Sequence, residues 1–561
     1  MNRGADIAML AGIGALAGVA GTLWLWGGLA GALFGSGWPA IGLGQLLGVL
    51  IRLPSHVADP AAAWPPAVRP SLPGATGFYA ALAVLAGAGG LLVVIAGAHG
   101  SPALRRVAGD GGARWASRRE LRPLQGRGRS RGHGRLVLGR RGWKLLYAEQ
   151  RHALVAFGPP QSGKSAGIAI PALLDWDGPA VASSIKTDLV SATIDRRRAL
   201  GQVFVFDPFG LSGVRAHTWS PLHGARTWDG ALEVAWRLAS AGELDRRGVE
   251  GGDFWAIAAE QRLAPLLYTA AAAGAGMDTV VRWVHGQGRR ELDEALALIT
   301  GDAKDEAQLA DAHAAFDAVR AFEAQADRTR TSIEATAQTL LRAYRFQRVV
   351  RSARGTEITA DRLLDAAATL YLIGDAKASK LLRPIFLALL GEVVDRAYER
   401  ATLAGGRLEK PLLLCLDEAG NVAPLPNLAE IASTAPSHNI QLVTIFHDLA
   451  QARTRYGQQA ETAVNSHRAR MLLPGVADLE TLRYFAGLTG EEEARDRTHT
   501  TGAGGATHST SRRRRPLIAP EALRQLPDRH ALLLYGRLAP TQLRLRLWFE
   551  DRRLRRLAGP R

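Results

Sequence analysis

The sequence predicts an α/β fold: a mostly parallel, doubly wound sheet interrupted by an inserted all-α segment and preceded by two hydrophobic spans. Three observations lead there. Eight short apolar, β-rich runs recur from Leu154 onward, each ending in small or acidic residues. A glycine-rich loop carrying a lysine separates the first run from a helical stretch. Two long uncharged runs occupy the N-terminal hundred residues.

Composition bounds the reading. At 561 residues the chain is long enough for several structural units, and 47% hydrophobic content with 22% charge excludes a wholly disordered chain. Lys and Arg number 69 against 52 Asp and Glu, a net charge of +17 that favours polyanionic partners. The Ala, Gly and Arg bias is also what a GC-rich genome produces, so charge by itself assigns no partner. A single cysteine, Cys415, excludes an intrachain disulfide and a Cys-rich zinc site and suits a reducing compartment.

Residues 7–51 carry no charged side chain, and 7–34 and 76–98 are apolar or Gly-rich. Each run exceeds the roughly 20 helical residues needed to cross about 30 Å of hydrocarbon. A secretory signal peptide is the alternative for the first run. Between the runs stand only Arg52, Asp59 and Arg69, whereas twelve arginines from Arg105 to Arg141 face only Asp110 and Glu120 after the second. The positive-inside rule then puts both termini in the cytoplasm and residues 61–70 outside. The expectation is a multi-pass protein of the cell membrane with most of its chain cytoplasmic. Its membrane domain would be 1–100, followed by a basic juxtamembrane linker, 101–134, in contact with lipid headgroups.

The strands follow in order: LVAFG at Leu154, AVASS at Ala180, VFVFD at Val203 and LYLIGD at Leu370. LLLCLDE at Leu412, LVTIFHD at Leu442, ARMLLPG at Ala469 and ALLLYG at Ala531 complete them. Runs this apolar read as strands buried on both faces. Residues 227–347 are Ala-rich with helical periodicity and read as an all-α domain inserted between the third and fourth strands. The nucleotide-binding domain is then 135–226 with 348–561. Residues 490–515 are polar, rich in Gly, Thr and His, and end in Arg512, Arg513, Arg514 and Arg515, which reads as a mobile surface loop.

The chemistry-bearing motif is GPPQSGKS: Gly158, Pro159, Pro160, Gln161, Ser162, Gly163, Lys164 and Ser165. Its glycines let backbone N–H groups wrap phosphates at a helix N-terminus, where the helix dipole favours anions. Lys164 would reach the β- and γ-phosphates of ATP, and the Ser165 hydroxyl would bind Mg²⁺. A second element, LLLCLDEAG, ends a strand in Asp417 and Glu418. Asp417 suits the metal's water shell, and Glu418 suits orienting or deprotonating the attacking water. Cys415 reads as core. Lys186 and Asp188 are candidates for the same crevice, and Asp207 for capping the turn at Pro208.

The order of motifs resembles the TraG-type coupling ATPases of type IV secretion and conjugation systems. It runs from ARWASRREL at Ala113 and LVLGR at Leu136 through the phosphate loop, SSIKTDL at Ser183, FDPFG at Phe206 and WSPL at Trp219. LLLCLDEAGN, IFHDLAQ at Ile445, NSHRARMLLPG at Asn465 and APEALRQLPDRHALLLYG at Ala519 continue it. The resemblance implies a RecA-like P-loop core in a membrane-anchored homo-hexameric ring with ATP at subunit interfaces. It also implies an ATPase that delivers DNA, in single-stranded form or bound to a relaxase, to the components of a secretion channel. One departure is His447, where the family carries a Gln that senses the γ-phosphate; imidazole offers a different reach and protonation. Arg468 and Arg470, opening the next strand, are candidates for an arginine acting in trans. Arg512 to Arg515 are candidate DNA contacts that would bind phosphates without reading sequence. An FtsK/HerA-like DNA translocase and an ATP-binding cargo receptor with little hydrolysis remain the alternatives.

Overall fold

The computed structural model describes residues 20–99, 112–126, 134–246, 252–502 and 505–559. The chain divides into two compact units, Met1–Gly111 and Gly112–Arg561.

In the first unit the described segments are helical over 20–34, Leu43–Arg52 and Ala75–His99, with short 3₁₀ turns between them. Trp26, Trp64 and Phe78 are buried in a small core, and the Trp26 indole donates to the Phe78 carbonyl at 2.7 Å. Among the described residues no helix is long and apolar enough to cross a membrane. This overturns the expectation of a multi-pass membrane protein drawn from the runs 7–34 and 76–98. Described apolar side chains of those runs pack on one another instead, Leu23, Trp26 and Ala30 against Phe78 and Ala81. Residues 7–19, and the arginines Arg105, Arg106, Arg127, Arg129 and Arg131 used for orientation, lie outside the described residues.

The second unit is built on an eleven-stranded sheet. Its strands are β1 (Val137–Arg141), β2 (Lys144–Tyr147), β3 (Leu154–Phe157), β4 (Ala180–Ser184), β5 (Val203–Phe206) and β6 (Thr369–Ile373). They continue with β7 (Leu412–Leu416), β8 (Ile440–Phe446) and β9 (Ala469–Leu472). A separate hairpin, β10 (Glu491–Gly502) with β11 (Gly505–Pro516), precedes β12 (His530–Tyr535) and β13 (Thr541–Arg544). The sheet order is β2-β1-β13-β12-β9-β3-β8-β7-β4-β6-β5. From β9 to β5 all neighbours are parallel, and β12, β13, β1 and β2 form an antiparallel flank. Strands β3, β4, β6, β7 and β8 are buried at every position, as expected of strands covered by helices on both faces.

Seven of the eight expected strands lie in the parallel part. The eighth, at Ala531, pairs antiparallel to β9. Between β5 and β6 the described residues are mostly helical, from Trp228–Arg246 through Ala360–Asp365. These helices share an apolar core with the sheet: Leu263 and Leu267 belong to the same buried cluster as Phe206 and Phe386. Within 490–515, Glu491–Gly502 and Gly505–Pro516 pair as the hairpin rather than a loop, with Glu492 opposite Arg515 and Glu493 opposite Arg514. Cross-strand charge pairing of this kind stabilises a register that few apolar residues would define. The Arg515 guanidinium bonds the Glu492 carboxylate at 2.8 Å.

Two buried arginines tie helices to the sheet. Arg197 on the helix Asp188–Leu200 donates to Thr369 Oγ1 at 2.6 Å and to the carbonyls of Trp176 and Gly178. Arg546 joins Asp175, at the end of the helix Ile170–Asp175, to Asp551. Each satisfies its donors inside the fold, which buried guanidinium groups require.

His467, between the helix Gln459–Ser466 and β9, is fully buried. Its Nδ1 donates to the Ala463 carbonyl at 2.7 Å, which leaves Nε2 to accept from Thr444 Oγ1 at 3.1 Å. Burial pushes its pKa from 6.5 down to about 4. The unfolded chain therefore binds a proton that the folded chain refuses, and stability present above pH 6.5 is lost as the pH falls toward about 4. Unfolding free energy should drop across that window more steeply in the native protein than in His467→Gln, by on the order of 3 kcal/mol. Denaturant titrations of both proteins at several pH values check this; parallel curves would contradict it.

Candidate nucleotide-binding site

The loop after β3 turns sharply because its residues permit it. At Gly158 a Cβ would come within 2.4 Å of Ser162 Oγ and 3.1 Å of Leu473 Cβ. Gln161 and Gly163 have φ of 67° and 87°, left-handed values that cost a non-glycine residue of order 1 kcal/mol. The Gly158 N–H donates to the Phe446 carbonyl, fixing the loop to β8. Lys164 leads into a π-helical turn, Ser165–Ala169, that runs on as the helix Ile170–Asp175. Such turns recur at functional sites.

Lys164 is buried, only 6% exposed, and its ammonium has three partners. Nζ lies 3.2 Å from the Gly158 carbonyl, 2.8 Å from Glu418 Oε1 and 2.7 Å from His447 Nδ1. A lysine can only donate, so His447 Nδ1 accepts and its Nε2 carries the proton. That Nε2 is 2.9 Å from Glu418 Oε2, which closes a ring of three side chains from β3, β7 and β8. Glu418 reaches it because its backbone is left-handed, φ 61°, and Asn421 Nδ2 donates to the same carboxylate at 3.0 Å. Burial pushes the Glu418 carboxyl up, but the hydrogen bonds from His447 and Lys164 outweigh it and hold the pKa down to about 2.

Asp417 is treated in the opposite way. Its Oδ2 accepts from Ser165 Oγ at 2.6 Å, while its buried Oδ1 has no hydrogen-bond partner. Burial raises its pKa to about 6. Two adjacent carboxyls are thus driven apart, one held ionised by cations and donors, the other left short of positive charge. The orphaned oxygen and the serine hydroxyl are hard oxygen donors of the kind magnesium takes, one or two from protein and the rest from water and phosphate. Among the described residues no group of three or more His, Cys, Asp or Glu could hold a metal ion, and a two-donor magnesium site of this kind leaves its other positions to water and phosphate. Asp417 and Ser165 fit that role.

These groups open onto a cavity of about 1010 Å³ at the carboxyl ends of the parallel strands. Pro159 to Ser165 line its floor, and Asp417, Glu418 and His447 line one wall. Lys186 and Asp188 border it too. A third wall comes from the C-terminal stretch: Arg524, Asp528, Arg529, Leu547 and Phe549. Sequence reading gave these residues no role in the site: Arg524, Asp528 and Arg529 fall in the segment APEALRQLPDRHALLLYG, quoted there only for the order of motifs, and Leu547 and Phe549 in none. The remaining candidates lie elsewhere. Asp207 accepts from Ser212 N and Oγ in the turn after β5. Cys415 is fully buried in β7, and burial pushes its thiol pKa up. Arg468 pairs with Glu149 at 3.1 Å and lies over the Tyr535 ring, and Arg470 bonds Asn465 Oδ1 at 3.3 Å. Both stand at the amino end of β9, away from the phosphate loop of their own chain. Arg513, Arg514 and Arg515 are exposed on β11, and the Arg512 side chain lies outside the described residues.

A sequence model described as "Type IV secretory system Conjugative DNA transfer" matches residues 121–560. The chain belongs to this family. Among curated relatives, a conjugal transfer protein TraG of Escherichia coli is 22% identical over 472 residues, 74% of this chain and 71% of the relative. Protein VirD4 of Rhizobium rhizogenes is 26% identical over 486 residues, 81% of this chain and 68% of the relative. The family fold recurs in the solved bacterial conjugative coupling protein TrwBdeltaN70 in its unbound form. That match has a TM-score of 0.59 at 17% identity, covering 78% of this chain and 93% of the other. TrwB in complex with a non-hydrolysable ATP analogue superposes with a TM-score of 0.57.

Replacing Ser165 by Ala removes the hydroxyl at Asp417 and should weaken ADP binding in the presence of Mg²⁺ while leaving metal-free ADP binding near the native value. Calorimetric titrations with Mg²⁺ or with chelator check this. Equal losses in both conditions would take Ser165 out of the metal site.

Proposed function

We propose that the chain is the coupling ATPase of a conjugative transfer system, binding Mg·ATP in the cavity above β3 and delivering DNA, or a DNA–relaxase complex, to a type IV secretion channel. The observation that carries this reading is the convergence of Lys164, Glu418 and His447 within 3 Å of one another, beside Ser165 and Asp417, in the cleft above the phosphate loop. TrwB complexes with an ATP analogue and with ADP and Mg²⁺ support the choice of ligand.

The geometry suggests how binding leads to hydrolysis. Backbone N–H groups of Gln161 to Ser165 face the phosphates, and Lys164 exchanges the Glu418 carboxylate for phosphate oxygens. Glu418, released from the ammonium that helps hold its pKa down, becomes the stronger base and faces the site of the attacking water. His447, already donating to Glu418 at 2.9 Å, keeps that carboxylate aimed and stands where a γ-phosphate would arrive. Asp417 and Ser165 would hold magnesium, which neutralises charge on the β- and γ-phosphates when bound. The chain acts as a homo-hexameric ring, so that Arg468 or Arg470 can serve a neighbour's nucleotide. The exposed Arg513 and Arg514 of the hairpin present cations to DNA phosphates, with Arg515 already engaged by Glu492.

Steady-state ATP turnover with and without single-stranded DNA tests the proposal. Turnover should need Mg²⁺, rise when single-stranded DNA is added and fall by about a hundredfold or more in Lys164→Ala. Turnover equal in the native protein and Lys164→Ala, or indifferent to DNA, would overturn it.

A further inference from the structure

Phe549 is an aromatic ring left 46% exposed directly after two residues that are not: Leu547 and Trp548 are 6% and 7% exposed. A lone exposed Phe is unremarkable on a protein surface. This one lines the nucleotide cavity, and the backbone that carries it is fixed. The Trp548 N–H donates to the Ala166 carbonyl at 3.0 Å, anchoring the segment on the first turn after the phosphate loop. The N–H groups of Glu550 and Asp551 both donate to the Leu547 carbonyl at 3.1 Å, and Glu550 pairs with Arg529 at 2.6 Å. The Trp548 ring meets Phe549 edge-on, with centroids 6.1 Å apart.

The sheet order gives the cavity a polarity. Asp417, Glu418 and His447 come from β7 and β8, on one side of β3. Leu547 and Phe549 follow β13, which lies on the other side beyond β9 and β12. The two sides meet without a gap: a Cβ on Gly163 would sit 3.6 Å from Leu545 and Leu547, and one on Gly167 3.1 Å from Leu545 Cβ. A triphosphate seated on the loop with its terminal phosphate toward Glu418 must send its nucleoside the opposite way. There the wall changes from carboxylates and imidazole to Leu547 and Phe549, with Arg524, Asp528 and Arg529 beside them.

We infer that Leu547 and Phe549 form the platform on which the nucleobase rests, with the Phe549 ring stacked on the base. The inference rests on the reading of this cavity as a nucleotide site and adds what holds the base. Recognition is of a flat heteroaromatic ring, since a phenyl face offers no hydrogen bond to a base edge. Loss of a stacking aromatic weakens binding several-fold to a hundredfold, and the partial exposure of this one places the effect at roughly tenfold.

Affinities of the full chain for ATP and for inorganic tripolyphosphate test it, in the native protein, Phe549→Ala, Phe549→Trp and Lys164→Ala. Phe549→Ala should weaken ATP roughly tenfold and leave tripolyphosphate unchanged, and Phe549→Trp should keep the native ATP affinity. Lys164→Ala should weaken both ligands. ATP affinity unchanged in Phe549→Ala, or equal losses of ATP and tripolyphosphate, would overturn the platform and leave the phosphate site standing. A native protein that binds neither ligand would overturn the nucleotide reading and the platform together.

Discussion

A buried lysine must find acceptors, and in this chain Lys164 finds them just past the ends of three strands at once. Its ammonium rests against the Gly158 carbonyl, the Glu418 carboxylate and the His447 imidazole. Breaking such a buried pair by removing one partner is costly, because the other charge is left without compensation. The contact therefore dictates much around it. It requires the tight loop at Gly158, the left-handed backbone at Glu418 and the side-by-side order of β3, β8 and β7. Asp417, one residue from Glu418, has no cation bonded to it, and burial raises its pKa to about 6. An anionic ligand that supplies phosphate oxygens can satisfy Lys164 and bring a metal to Asp417 in the same event, which couples the two halves of the site.

The remaining architecture holds that arrangement in place. Parallel strands buried on both faces put every loop that carries chemistry at one edge of the sheet, where such folds bind their ligands. Arg197 fastens the helix after β4 to β6, and Arg546 fastens the C-terminal segment to the helix that leaves the phosphate loop. The second link is the less obvious one. It lets residues more than three hundred and fifty positions from Lys164 in sequence form part of the same cavity wall.

How much of this was legible beforehand follows from the nature of each signal. The central strands announce themselves, because a strand buried on both faces must be largely apolar, as LLLCL is and as IQLVTIF is apart from Gln441 and Thr444. GPPQSGKS and the Asp417–Glu418 pair are local, and their spacing carries the chemistry. Strands β1, β2 and β13 were missed as sheet members: VLGRR, KLLY and TQLR are short, partly exposed and mixed in polarity. The hairpin over Glu491–Pro516 was read as a loop because polar Thr, His and Arg carry no core-facing alternation, and its register depends on charge pairing across strands. The N-terminal runs misled in the other direction. Hydropathy alone does not distinguish a helix that faces lipid from one that buries Trp26 and Phe78 against its neighbours. Arg524 sits in a segment quoted only for its order in the chain and Phe549 in no motif at all, and only the fold brings them to the phosphate loop.

The exchange of partners by Lys164 is the central claim, and nucleotide affinity in Glu418→Gln tests it most directly. With the carboxylate neutralised, Lys164 no longer has to leave an ion pair to reach the phosphates. Titration of a non-hydrolysable ATP analogue with Mg²⁺ should show Glu418→Gln binding about tenfold more tightly than the native protein. Affinity that is unchanged or weaker in the variant would contradict the claim that Glu418 and phosphate compete for Lys164.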